Sequence, residues 1–147
     1  MIHSKTSRIV LLLATVLFFA FISCKKEDPL KEGDLVFCQD DPGEGNFWEP
    51  AKVVKVENET VTIAWDDTFM KDGPEAQKSI SEVVKRQQAD PKKVKENMAI
   101  IIHPPVFLYP YKGIIEKVMG DRYIVRYKSG SVERHDTVDI TSLYKYK

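Results

Sequence analysis

Apolar and polar positions alternate cleanly from Val61 to Trp65, with Val61, Ile63 and Trp65 in phase and Thr62 and Ala64 between them. Period-two patterning in β-branched and aromatic residues predicts a strand with one buried face. Residues 48–57 carry Ala51, Val53 and Val56 among polar neighbours and predict a longer strand before it. Residues 34–38 predict the first strand and residues 79–84 the last. Asn58-Glu59 fits a tight hairpin turn, since Asn tolerates the positive φ that such turns demand. Pro42, Gly43 and Gly45 make residues 40–46 an open loop. No helix of useful length is predicted in this part of the chain. Only residues 90–94 suggest a single helical turn, with Asp90 as cap and Pro91 at the first position.

The same pattern returns at an offset of 62 positions: Phe47 falls on Tyr109, Ala51 on Gly113, Val53 on Ile115 and Trp65 on Tyr127. Gly120-Asp121 takes the place of Asn58-Glu59, and residues 138–143 close the second copy. Self-similarity over this length means one small domain written twice. The expected organisation is residues 31–85, a link of residues 86–94, and residues 95–147. Short strands with a long first loop and tight later hairpins predict an all-β fold of two small five-stranded barrels in tandem. A domain of this size buries only about 60% of its unfolded surface, which favours a shared interface between the copies.

Gly33-Asp34-Leu35-Val36, Trp48-Glu49-Pro50-Ala51-Lys52-Val53 and Val61-Thr62-Ile63-Ala64-Trp65-Asp66-Asp67 together resemble the Tudor and Agenet group of SH3-like barrels. Residues 111–115 and 123–130 resemble it more weakly. The resemblance implies a ligand site at one end of the barrel, where aromatics of the first loop and the third strand form a cage for methylated or other cationic side chains. The matching positions are Phe47 or Trp48 with Trp65, rimmed by Asp66 and Asp67, and in the second copy Tyr109 or Tyr111 with Tyr127. Arg126 and Lys128 flank Tyr127 and oppose a cationic ligand, so the site is expected in the first copy, with the second supporting it. The competing reading gives these aromatics to core and intermodule packing, which small barrels also need.

The N-terminus points to location. Lys5 and Arg8 precede an apolar run, residues 9–22, which is 14 residues long. A bilayer-spanning helix takes about 20, so the run has the length of a signal-peptide core. Phe21-Ile22-Ser23-Cys24 resembles the lipobox of bacterial lipoproteins in its looser form. That resemblance implies cleavage after Ser23, a diacylglyceryl thioether on Cys24 and N-acylation, with residues 24–30 as a lipidated tether. Two or more chains anchor a protein stably. Envelope localisation follows, with the outer membrane favoured. Residues 25–32 read as a solvated tether, while Lys25-Lys26-Glu27-Asp28 directly after the cysteine also resembles the surface-export signal of lipoproteins in some Gram-negative groups. Cys38 is then the remaining thiol and, in an apolar strand, reads as a small buried hydrophobe.

The formal charge of zero conceals an asymmetry. Residues 31–85 hold 6 Lys/Arg against 13 Asp/Glu, net −7, whereas residues 95–147 hold 9 against 6, net +3. Such a division serves solubility and attraction between modules, or selects partners of different charge. Zinc-protease, CxxC, nucleophile-elbow and phosphate-loop motifs are absent. His135 beside Asp136 and Glu133 makes a poor metal site, because adjacent strand residues face opposite sides. The same objection removes Asp66-Asp67 as a catalytic pair, and Asn58-Glu59-Thr60 fits the glycosylation pattern by chance. The sequence therefore predicts a non-enzymatic, lipid-anchored envelope module without metal or cofactor, taking a protein, peptide or glycan partner. Nucleic acid is disfavoured by location. The alternative is a structural envelope protein whose SH3-type domains hold peptidoglycan or a partner protein.

Overall fold

The computed structural model describes residues 28–39, 47–67 and 73–147. The apolar run of residues 9–22, Cys24 and the loop of residues 40–46 lie outside the described residues. Among the described residues ten strands run β1 Leu35–Gln39, β2 Trp48–Glu57, β3 Thr60–Trp65, β4 Glu75–Ser79, β5 Val83–Lys85, β6 Ala99–Ile102, β7 Tyr111–Met119, β8 Arg122–Ser129, β9 Val132–Asp139 and β10 Leu143–Lys145. They form two five-stranded antiparallel sheets of equivalent order, β4-β3-β2-β1-β5 and β10-β6-β7-β8-β9. The fold is all-β, two small barrel-like modules in tandem. The hairpins turn where the sequence predicts, through Asn58 at φ 51° and Gly120 at φ 67°.

The step from Ala51 and Val53 to Val56, two residues and then three, has a structural cause. The β2–β3 register shifts between Val53 and Lys55, and the β7–β8 register shifts between Ile115 and Lys117 at the equivalent place. The extra residue of a bulge returns the next apolar side chain to the inner face. Val36, Ala51, Val53, Val61, Ile63, Trp65 and Val83 then fill the first core. Cys38 is buried in it, as expected.

One expectation is corrected. Residues 79–84 and 138–143 are not single closing strands. Each contains a 3-10 turn, Ile80–Glu82 or Ile140–Ser142, between a fourth and a fifth strand. Ser79 accepts from the Ser81 N–H while Glu82 binds the Ser79 N–H, a reciprocal cap that stops β4. Asp139 caps the second turn through Thr141 N–H. The connecting stretch packs down, with Ala89 and Val94 buried in the second core. Its one turn closes at Asp90, whose carbonyl accepts from Lys93 and Val94.

The modules share a seam. Phe37, Trp48, Val84 and Ile101 are buried together, with Tyr144 and Tyr146 packed on them. Phe37 meets Tyr144 edge-on at 5.0 Å, and Trp48 meets Tyr146 at 5.8 Å. Main-chain bonds stitch the seam: Trp48 N–H to Pro110 carbonyl at 2.7 Å and Lys145 N–H to Gln87 carbonyl at 2.8 Å. Alternation explains the placement. Val36 and Cys38 face the first core, and Ile100 and Ile102 the second, so Phe37 and Ile101 project outward from equivalent strands and meet. A strand buried on both faces reads as an unbroken apolar run, as both of these do.

Candidate functional site

Strand parity sorts the expected cage residues. Ala51 faces the first core, so Trp48, an odd number of residues before it, faces the other way. Trp48 is 2% exposed within the seam, and its indole N–H has no hydrogen-bond partner. Trp65 faces the barrel interior and is 8% exposed, with the Lys78 ammonium 5.6 Å from its ring centre. The two indoles thus belong to different clusters and share no concavity. Asp66 is exposed and pairs with Arg86 at 2.9 Å, while Asp67 is exposed beyond it. Phe47 leaves the first module altogether. It packs against the second core, bridges Tyr111 through the backbone and lies 5.6 Å from the Tyr109 ring.

The position that shares a face with Ala51, the register partner of Trp65, is Glu49, and its counterpart is Tyr111. The aromatic pair is therefore complete only in the second copy. Tyr111 and Tyr127 lie 5.2 Å apart, both buried. Gly113, opposite Tyr127 in the register, makes the close approach possible. A Cβ there would sit 2.9 Å from the Arg126 carbonyl oxygen and 3.2 Å from Tyr127 Cβ. The Tyr127 hydroxyl donates a hydrogen bond to the Asp136 carboxylate at 2.5 Å, and Ser129 Oγ donates to the Tyr111 hydroxyl at 3.3 Å. Burial, then the bond to Asp136, pushes the Tyr127 phenol well above its ordinary range. It is a fixed neutral donor.

Phe107 completes the cluster. Its ring stands edge-on to Tyr111 at 5.5 Å and to Tyr127 at 6.2 Å, and the Arg134 guanidinium lies over it at 5.2 Å. The loop that carries it is braced by Pro104 and Pro110, both fully buried, and by a turn from Phe107 N–H to the Pro104 carbonyl. On either side of Phe107, Val106 is 84% and Leu108 75% exposed. Phe107, Arg134 and Asp136 were not among the expected site residues. The signal for them was present: an aromatic flanked by apolar residues and prolines, and a fourth strand in which residues 134 and 136 share a face.

The charges expected to oppose a cation at Tyr127 point elsewhere. Arg126 sits on the outer face, held by Glu116 at 3.1 Å and Glu133 at 3.2 Å. His135 joins this network through Nδ1 to Glu116 at 2.8 Å. That hydrogen bond raises the imidazole pKa above its ordinary value, against a smaller effect of desolvation. Among the described residues no group of three His, Cys, Asp or Glu is placed to hold a metal ion. Away from the aromatic cluster, an open groove of 1110 Å³ runs beside the seam between Leu30, Leu35, Ile80, Val84, Lys145 and Lys147.

No protein-family model matches this chain, and no curated protein sequence matches it. Among solved structures it is similar to the crystal structure of Arabidopsis thaliana AGDP1 AGD34. The identity is 12% and the TM-score 0.51, over 79% of this chain and 82% of that one. That likeness extends across both modules and gives the chain a tandem Tudor/Agenet-like, SH3-like barrel fold.

Proposed function

We propose that this protein is a lipid-anchored, non-catalytic binding module of the bacterial cell envelope that takes a protein or peptide ligand at the loop end of its second barrel. The observation that carries this reading is the Phe107–Tyr111–Tyr127 cluster beneath a proline-braced loop with exposed Val106 and Leu108. A pre-ordered apolar tip loses little conformational freedom on binding, and exposed apolar groups on a rigid base are what partner surfaces present. The Tudor/Agenet-like fold agrees with a binding role. The first barrel's Trp65 has Lys78 over its ring, so a cation already occupies that face.

Anchoring rests on Cys24 at the end of the signal-like run. Mass spectrometry of the membrane fraction is expected to find the mature N-terminus at an acylated, diacylglyceryl-modified Cys24; an unmodified thiol there refutes the anchor. For the binding end, the full-length protein is used to capture envelope proteins, alongside Leu108→Glu and a control, Val118→Glu, on the far part of β7. A protein held by the wild type and the control but lost by Leu108→Glu supports the site. Equal capture by all three refutes it. The second reading, a structural protein holding peptidoglycan, draws on the groove beside the seam. It predicts muropeptide binding that Leu108→Glu leaves untouched.

A further inference from the structure

The cationic face of the second barrel's aromatic cluster is supplied from within. Arg134 lies over Phe107, and among the described residues it makes no ion pair. The neighbouring acids are committed: Asp136 to the Tyr127 hydroxyl, Glu133 to Arg126. At the mouth of the cluster, then, an exposed guanidinium lies over Phe107, whose neighbours along the chain, Val106 and Leu108, are exposed apolar residues, in a module of net +3. Stacked on the ring, Arg134 keeps a fixed position while its donors remain open, so little order is lost when it meets a carboxylate.

Taking the binding end proposed above as its premise, we infer that the partner presents an acidic and apolar segment: one or more carboxylates to Arg134, with apolar side chains against Val106, Phe107 and Leu108. A cationic or methylated side chain fits this surface poorly. It would compete with Arg134 for the Phe107 ring and face like charge. The chemistry thus reverses what aromatic cages and the acidic first module suggest for this chain. Arg is also favoured at interface centres because its flat group pairs, stacks and sheds water more readily than an ammonium.

The test uses the full-length protein with labelled methyl groups and two short peptides. One alternates leucine and phenylalanine with glutamate; the other has lysine in place of glutamate. The glutamate peptide is expected to shift the Val106 and Leu108 methyl signals, and to bind more weakly as salt is raised. Arg134→Gln, an exposed substitution that keeps the fold, is expected to weaken it about five-fold, the size of one partly screened ion pair. Arg134→Lys should recover part of the loss. The inference is overturned if the lysine peptide binds as tightly, if neither peptide binds, or if Arg134→Gln leaves the affinity unchanged. Concentration-dependent self-association without peptide, abolished by Arg134→Gln, would instead assign the surface to the acidic module of a second copy. Loss of the captured envelope protein on Leu108→Glu, with no preference for glutamate over lysine, would sink this inference and leave the binding end standing.

Discussion

Glu49 and Tyr111 occupy the same place in the two copies, and this one difference decides which barrel assembles an aromatic cluster. Both share the inner face with the residue two positions on, Ala51 or Gly113. Tyr111 there meets Tyr127, whereas the first copy holds a carboxylate, 5% exposed, at that place. Counting strand parity from Ala51 would have revealed this in the sequence and would also have turned Trp48 outward. Pairing aromatics by nearness along the chain obscured it. Gly113 is the residue on which the arrangement depends most sharply. Gly113→Ala sets a methyl 2.9 Å from a backbone oxygen that cannot swing aside. Overpacking of this kind costs about 1–3 kcal/mol. Chemical denaturation should show that loss, together with altered near-ultraviolet dichroism of the tyrosines, while Gly73→Ala, with open space around it, should change little.

At the scale of elements, the hairpins and the repeat were legible because turn chemistry and two-residue alternation are local signals. The fourth strand of the first module was not. Residues 75–79 alternate partly buried Ala76 and Lys78 with exposed Glu75, Gln77 and Ser79, so the pattern carries little apolar contrast. The 3-10 turn after it was hidden inside an apolar stretch, although Ser79 and Glu82 have the spacing of a reciprocal cap. Across β7, β8 and β9 the outer face is held by Glu116, Arg126, Glu133 and His135. Because the bond to Glu116 raises the His135 pKa, the folded state favours the protonated ring. That contribution is complete below about pH 6.5, the unfolded value, and is lost as pH rises through the folded value. A titration followed by NMR should place His135 above the ordinary histidine range, and Glu116→Gln should lower it. A titration unmoved by Glu116→Gln would contradict the network.

At the scale of the molecule, the seam makes one unit of two marginal barrels. Its signal in the sequence was the pair of unbroken apolar runs, Val36-Phe37-Cys38 and Ile100-Ile101-Ile102, buried on both faces. The contact between them was not legible, because it depends on how two sheets are stacked rather than on any local pattern. Phe37 is 2% exposed against Tyr144 and Val84, so Phe37→Ala should cost about 3–5 kcal/mol. Fluorescence of Trp65 in a Trp48→Phe background, which reports on the first module, and the His135 signal, which reports on the second, should follow one transition when Phe37 is present. They should separate in Phe37→Ala. Coincident curves in the variant would mean that coupling runs elsewhere. The proposed function divides this unit unequally: the second barrel's loop meets the partner, and the first barrel's equivalent end does not. Photo-crosslinking in cells producing the full-length chain tests it most directly, with the reactive side chain placed at Leu108 or at Asp67. The prediction is a discrete protein adduct from position 108 and none from position 67. Adducts from position 67 alone, or equally from both, would contradict it.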